Sequence, residues 1–149
     1  MQLRHDLLTH GVYVVAAEHN GRRGGLAVAW ATQIATDKVL ICVGSQSATR
    51  ELILASRAFG LSVLTSEQKQ LARLFGLHSS RKVDKFKDVP WHTAITGSPL
   101  LDDSPLVLDC RVEQVYDADG SKLIVGRIVS VEETGLAFEP LIYHESDFS

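Results

Sequence analysis

The chain has 149 residues, of which 45% are hydrophobic and 22% charged, as expected of one globular domain over residues 1–149. The net charge of −3 argues against a protein that binds nucleic acid non-specifically, because such a protein needs surplus positive charge. The polar start of the sequence and its short apolar runs argue against a signal peptide and a transmembrane span, so we expect a cytoplasmic protein.

The first part of the chain is predicted to form three strands. Residues 11–17 are rich in β-branched and aromatic side chains, which favour a strand. Asn20 and Gly21 are typical of a hairpin turn, so residues 26–34 are expected to pair back as a second strand. Residues 39–43 form a continuous apolar run, which is typical of a buried strand.

Two helices are predicted in the middle of the chain. The first covers residues 50–59, with Ser47 as its N-cap and Gly60 as its C-terminal stop. Thr65 and the glutamine three residues later have the spacing of a capping box, which predicts a second helix running to Phe75.

The remaining predicted elements are strands. They cover residues 61–64, 106–115, 122–131 and 140–143, and a turn at residues 117–120 joins the middle two. We therefore expect a mainly β fold with two or three helices and an antiparallel sheet. Closure of that sheet into a six-stranded barrel would bury both the sheet and its edges.

One hydroxyl-rich segment could hold a phosphate group. Residues 45–49 lie between a buried strand and a helix start, where free backbone N–H groups and hydroxyls favour a phosphate dianion. The alternative is that Ser47 caps the helix and binds nothing. Arg81 and Lys85 lie on a polar loop and could neutralise the same phosphate, although a solvated charged loop is the commoner meaning of such a segment.

A second segment could accept a flat ring. Gly24 and Gly25 carry no side chain, so a ring could approach their backbone closely. In the strand that follows, Trp30 could stack on the ring, while Thr32 and Gln33 could form hydrogen bonds with its polar edge. The alternative is an ordinary strand with one core tryptophan.

The sequence offers no residue-based catalyst. It lacks a nucleophile elbow, a paired-carboxylate signature and a dinucleotide-binding glycine motif. Cys42 and Cys110 are expected to be buried, reduced thiols, and His92 and His144 to be structural or on the surface. A small-ligand site with phosphate features and no catalytic side chain favours a protein whose chemistry is done by a bound cofactor.

Ten short segments follow one another in an order that is specific as a set: residues 25–34, 39–43, 47–58, 59–64, 70–76, 84–86, 97–100, 108–112, 124–129 and 140–143. In these segments the chain resembles the flavin reductase-like family, whose members fold as FMN-binding, Greek-key split barrels. The resemblance covers residues 5–145 and is nearest to flavoredoxins and to the FMN domains of rubredoxin-linked flavoproteins.

This resemblance implies a homodimer that binds FMN near the interface between its subunits. The isoalloxazine ring would lie along residues 29–32, and residues 45–49 with the basic loop would hold the phosphate. The implied FMN-binding residues are Ala29, Trp30, Ala31, Thr32, Ser45, Gln46, Ser47, Thr49, Phe75, Gly76, Arg81 and Lys85.

Two parts of the chain depart from the family pattern. Ala29 and Trp30 stand where many members have serine or asparagine, so backbone groups would have to bind the ring there. Ser121 stands near the position, shortly before Gly126, where members that use NAD(P)H often have a histidine. Three functions therefore stay open: an NAD(P)H-dependent flavin reductase, an electron-transfer flavoprotein reduced by a small redox protein, and a non-catalytic split barrel that binds another ligand or only a partner protein.

Overall fold

The computed structural model describes residues 1–45 and 47–148. Two α-helices interrupt a series of strands. In chain order, the elements are β1 (Tyr13–His19), β2 (Arg22–Val28), β3 (Ala31–Ala35), β4 (Lys38–Val43), α1 (Ala48–Ser56), β5 (Ala58–Val63), α2 (Lys69–Leu77), β6 (Trp91–His92), β7 (Leu100–Leu101), β8 (Leu106–Ala118), β9 (Ser121–Glu133) and a 3-10 helix (Glu145–Phe148).

The main sheet is antiparallel and has the order β2-β1-β5-β8-β9-β4-β3, and β6 pairs with β7 in a separate small sheet. The predicted mainly β, antiparallel fold with two helices is confirmed. The main sheet has seven strands and not six, since the single strand expected over residues 26–34 divides at Ala29 and Trp30 and the segment 140–143 does not join the sheet. Since β2 pairs with β1 and β3 pairs with β4, these two residues carry the chain from one edge of the sheet to the other.

The sheet curves around a cluster of buried apolar residues, and a second cluster, which includes Phe75 of α2, packs on its other face. Val15 on β1 and Ile41 on β4 lie four strands apart in the sheet order, yet both belong to the same cluster of buried apolar residues. Ile53 of α1 and Phe59 of β5 pack into this cluster and are fully buried. A sheet whose distant strands share a core is wrapped in the manner of a barrel, and α1 contributes to its filling.

A hairpin and a helix cap form as predicted. Asn20 and Gly21 have φ angles of 51° and 80°, and this left-handed pair makes the tight turn between β1 and β2. The Ser47 hydroxyl accepts a hydrogen bond of 3.1 Å from the backbone N–H of Arg50, so Ser47 is the N-cap of α1.

Both helices differ from the predicted bounds. The first ends at Ser56, before Gly60, because Arg57 adopts the left-handed conformation with a φ of 59° and the chain then enters β5. The second begins at Lys69. The expected capping contact forms, with the N–H of Thr65 donating to the Gln68 side chain at 2.8 Å, but it belongs to the turn before the helix.

The late part of the chain is a long hairpin of β8 and β9 that is irregular near its base. A bulge between Asp109 and Cys110 breaks the predicted inward–outward alternation, so both side chains are fully buried. The strand expected over residues 140–143 is reduced to two isolated bridges, Thr65 with Pro140 and Gly11 with Ile142. Among the described residues, no helix combines the length and the apolar character needed to cross a membrane.

Candidate functional site

Two clefts meet along β2 and the C-terminal half of α2, and they share Leu26, Ala27 and Gly76. The first, here called the apolar cleft, has a volume of about 270 Å³. The second, here called the polar cleft, has a volume of about 300 Å³. Their further lining includes Ala29, Trp30, Cys42, Tyr143 and Phe148 in the apolar cleft, and Ser47, Thr49, Phe75, Ser80 and Lys85 in the polar cleft.

A buried ammonium group lies beside the polar cleft. Lys85 is only 4% exposed, and its Nζ donates hydrogen bonds of 2.8 Å to the carbonyl oxygens of Gly25 and Phe75. Burial lowers the pKa of Lys85 to about 8. In the part of the chain that the structure describes, no carboxylate forms an ion pair with this group. An ammonium has three N–H donors, and the carbonyls of Gly25 and Phe75 use two of them.

The backbone of β2 lies tightly against the walls of the clefts. A Cβ atom on Gly25 would come within 2.8 Å of the Phe75 ring, so only glycine fits there without a shift. The Ser80 hydroxyl accepts from the N–H of Gly25 at 3.2 Å and donates to its carbonyl at 3.1 Å. These hydrogen bonds hold the loop with Ser80 and Lys85 against β2, the strand that lines both clefts.

The N-terminus of α1 faces the other side of the polar cleft. Ser47, Ala48 and Thr49 line the cleft, and Thr49 is only 2% exposed. The first backbone N–H groups of a helix lack partners within the helix and carry partial positive charge. The helix end and the Lys85 ammonium therefore make this cleft electropositive, which favours an anion such as a phosphate.

The structure brings together seven of the residues implied by the sequence. Ala29 and Trp30 line the apolar cleft, and Ser47, Thr49, Phe75, Gly76 and Lys85 line the polar cleft.

The other implied residues lie elsewhere. Ala31 and Thr32 line neighbouring surface clefts on the far side of Trp30. Ser45 is exposed and lines neither of the joined clefts. Arg81 lies outside the polar cleft, because its guanidinium is paired with Glu51 at 2.7 Å. Gln46 lies outside the described residues.

Several lining residues were missed by the sequence reasoning. His5, Tyr143 and Phe148 reach the apolar cleft from the two ends of the chain, and no local pattern links segments so far apart in sequence. Ser80 was missed because a serine in a polar loop carries no signal for its bond to Gly25. Cys42 is a partly buried free thiol that lines the apolar cleft.

Cys110 and His92 both lie outside the two clefts. Cys110 is buried away from the clefts, and burial raises the pKa of its thiol to about 12. His92 lies between two carboxylates, Asp102 at 2.5 Å and Glu132 at 2.6 Å, and their hydrogen bonds raise its pKa. It lines neither cleft, so the expectation of a structural histidine agrees with its position.

The apolar cleft and the electropositive cleft meet on a curved antiparallel sheet, an arrangement that can accept an elongated ligand with an apolar part and an anionic end. The chain belongs to the flavin reductase-like domain family, whose sequence model matches residues 3–149. The family predicted from the sequence is therefore confirmed, and so is the class of activity that the resemblance implied, flavin-based oxidoreduction.

Individual relatives agree with this assignment. The chain is 30% identical to the NAD(P)H ferric-chelate reductase of Archaeoglobus fulgidus, over 84% of this chain and 76% of that protein. The FMN-binding protein of Thermus thermophilus, solved with p-hydroxybenzaldehyde, has a TM-score of 0.88 and 26% identity over 96% of this chain and 86% of its own. The NADH:FAD oxidoreductase of Streptomyces globisporus C-1027 has a TM-score of 0.84 and 26% identity over 93% and 83% of the two chains.

Proposed function

We propose that this protein is an FMN-dependent flavin reductase that passes electrons from NAD(P)H through the flavin to an acceptor. The isoalloxazine ring would occupy the apolar cleft and the phosphate the polar cleft. The observation that carries the proposal is Lys85, a buried ammonium without a carboxylate partner among the described residues, placed opposite a helix N-terminus.

The residues present fit FMN. Burying an unpaired ammonium is costly, and a phosphate dianion in the polar cleft would supply the missing countercharge. The clefts share Leu26, Ala27 and Gly76, so one elongated ligand can reach both. FMN ends in a phosphate with two negative charges, which an electropositive cleft favours, whereas the phosphates of FAD are followed by an adenosine. Relatives of both kinds exist, an FMN-binding protein and an NADH:FAD oxidoreductase.

The protein's contribution is binding and exclusion of water. The redox chemistry, hydride acceptance from a nicotinamide and electron transfer to an acceptor, would be supplied by the flavin when it is bound. The walls formed by Trp30, Tyr143 and Phe148 would cover the ring, and the backbone of Ala29 and Trp30 would bind its polar edge in place of the side chains expected from the family pattern. The Lys85 ammonium and the first N–H groups of α1 would hold the phosphate.

The test is direct. Purified protein mixed with FMN and an excess of NADH or NADPH under anaerobic conditions should lose the flavin absorbance near 450 nm. The companion variant is Lys85→Met, which keeps most of the length of the side chain, removes the charge and should weaken FMN binding. Bound flavin that is not bleached by either nicotinamide would overturn the reductase proposal.

A second candidate is an electron-transfer flavoprotein that is reduced by a small redox protein. Ser121 favours it, because the histidine typical of members that use NAD(P)H is absent at that position. Ser121 begins β9 at the tip of the β8–β9 hairpin, and the Arg50 guanidinium holds the preceding residue by its carbonyl at 3.0 Å. This candidate predicts tight FMN, negligible NAD(P)H oxidation and fast reduction by a ferredoxin or a rubredoxin.

We also propose that the protein is a cytoplasmic, single-domain homodimer. Strand β3 is an edge of the sheet, and Ile34 on it is 50% exposed. A surface cleft of about 530 Å³ beside β3 is lined by apolar side chains such as Leu61 and Phe138. An exposed edge strand with an apolar cleft is a surface that a second subunit would cover.

The homodimer is tested by sedimentation and flavin release. Ile34→Glu should shift the protein from dimer to monomer in sedimentation velocity and release FMN. Ile95→Glu, on an equally exposed loop position, should change neither. A wild-type protein that sediments as a monomer with flavin bound would contradict the proposal.

A further inference from the structure

One wall of the apolar cleft is built from segments at opposite ends of the sequence. His5 lies at one end, and Tyr143 and Phe148 lie at the other. The rings of Tyr143 and Phe148 are 5.6 Å apart and tilted by 31°, and the His5 ring is 5.6 Å from Trp30. The cleft thus has an aromatic wall, defined here as Tyr143 and Phe148, in addition to Trp30.

The aromatic wall is held on helix α2 by a packing contact and by polar contacts. The Phe148 ring packs on Gly76, where an added Cβ atom would come within 2.9 Å of it. The Arg73 guanidinium donates a hydrogen bond to the backbone carbonyl of Asp147, and Lys69 lies 3.5 Å from the Asp147 carboxylate. Because Gly76 belongs to both clefts, the wall is anchored to the same helix that borders the polar cleft.

The aromatic wall is also fastened to the segment before β1. His5 Nδ1 lies 2.5 Å from the Glu145 carboxylate. The backbone N–H of Glu145 donates to the Asp6 carboxylate at 3.0 Å, and this bond holds the pKa of Asp6 below its usual value. The backbone N–H of Tyr143 donates to the carbonyl of His10 at 2.8 Å. Contacts with helix α2 and with the segment before β1 therefore fix the position of the aromatic wall.

We propose that the aromatic wall determines the affinity and orientation of the flavin ring, independently of the phosphate, and that Arg73 is a positioning residue that acts through it. This inference rests on the proposed function. Aromatic rings pack favourably face-to-face with an offset or edge-to-face, and a wall held from two sides loses little freedom when a ring binds against it. Arg73 is not among the lining residues of either cleft, so its effect on a ligand must pass through the 147–148 backbone.

The test compares FMN with riboflavin, which has the same ring and no phosphate. Phe148→Ala should weaken the binding of both ligands by about the same factor, roughly tenfold, which corresponds to about 1.4 kcal/mol. The ratio of the two dissociation constants should therefore stay unchanged. Lys85→Met should instead weaken FMN alone. Phe148→Leu keeps the apolar contact with Gly76 without the aromatic ring, and serves if the alanine variant melts early.

A second set of variants tests the positioning role of Arg73. Arg73→Gln should weaken the binding of FMN and of riboflavin by a similar factor and broaden the absorption band of the bound flavin. Arg73→Lys can still donate to the Asp147 carbonyl, so it should restore the affinities and the band shape. Arg111→Gln, an exposed charge change on β8 that lines neither cleft, is the matched control.

The outcomes separate the two claims. If wild-type protein binds neither FMN nor riboflavin, the proposed function itself is wrong. If it binds both and the Phe148 and Arg73 variants bind them equally well, the inference about the wall is overturned. A loss confined to FMN in these variants would also overturn it, because the wall would then act on the phosphate.

Discussion

Lys85 should make FMN binding depend on pH in a range where a surface lysine would not. Its pKa is lowered to about 8 by burial, and only the protonated form offers a positive charge to the phosphate. With that pKa, the protonated fraction falls from about 90% at pH 7 to about 10% at pH 9. The apparent dissociation constant is the intrinsic one divided by that fraction, so it should rise about tenfold.

The assay is a titration of flavin fluorescence at pH 7 and pH 9 with FMN and with riboflavin. The ratio of their dissociation constants isolates the phosphate contribution and should shift about tenfold in the wild type. In Lys85→Met the ratio should be the same at both values of pH. A wild-type ratio that does not change between pH 7 and pH 9 would refute the assignment of Lys85 to the phosphate.

Lys85 also makes the stability of the ligand-free protein depend on pH. The folded protein releases the Lys85 proton near pH 8, whereas the unfolded chain holds it to about pH 10.5. Between these values the unfolded state binds more protons, so the free energy of unfolding rises with pH. From pH 7.5 to 9.5 the gain is about 2 kcal/mol in the wild type relative to Lys85→Met, measured by urea denaturation.

Three further outcomes are expected. Asp109→Ala should cost about 2–4 kcal/mol in urea denaturation, because the fully buried carboxylate accepts three hydrogen bonds from the 95–96 segment. Hydrogen bonds to its two carboxylate partners raise the pKa of His92, so the charged imidazole stabilises the fold below its usual pKa and this contribution is lost as the pH rises. The difference in unfolding free energy between the wild type and His92→Gln should therefore shrink between pH 6 and pH 8.5. A difference that stays constant over this range would contradict the role of the charged imidazole. Gly25→Ala should lower the melting temperature and FMN affinity by crowding Phe75, whereas Gly44→Ala, where the added atom meets nothing within 4 Å, should leave the melting temperature unchanged.

Local patterns were enough to predict the features that depend on neighbouring residues alone. The hairpin at Asn20 and Gly21 follows from the ease with which these residues adopt positive φ angles. The N-cap at Ser47 follows from a hydroxyl placed before an apolar helical pattern. The family resemblance supplied what these patterns could not, the joint role of segments that are distant in sequence.

Features that depend on tertiary contacts were not predictable. Nothing in the apolar run through Ala29 and Trp30 shows that the chain changes sheet edges there, because both halves are good strands. A bulge inverts the alternation at Asp109, and the pattern carries no sign of it. Arg81 and Lys85 look alike in the sequence, yet one is paired with Glu51 at the surface and the other is buried, a difference set by the fold around β2.

The placement of Trp30 gives the protein a built-in optical reporter. The chain has two tryptophans, and only Trp30, which is 45% exposed, lines the apolar cleft. Trp91 lies away from it, with the Arg23 guanidinium 4.1 Å above its ring. A change in intrinsic emission when a colourless ligand enters the cleft can therefore be assigned to the Trp30 indole, so its occupancy can be followed without a label.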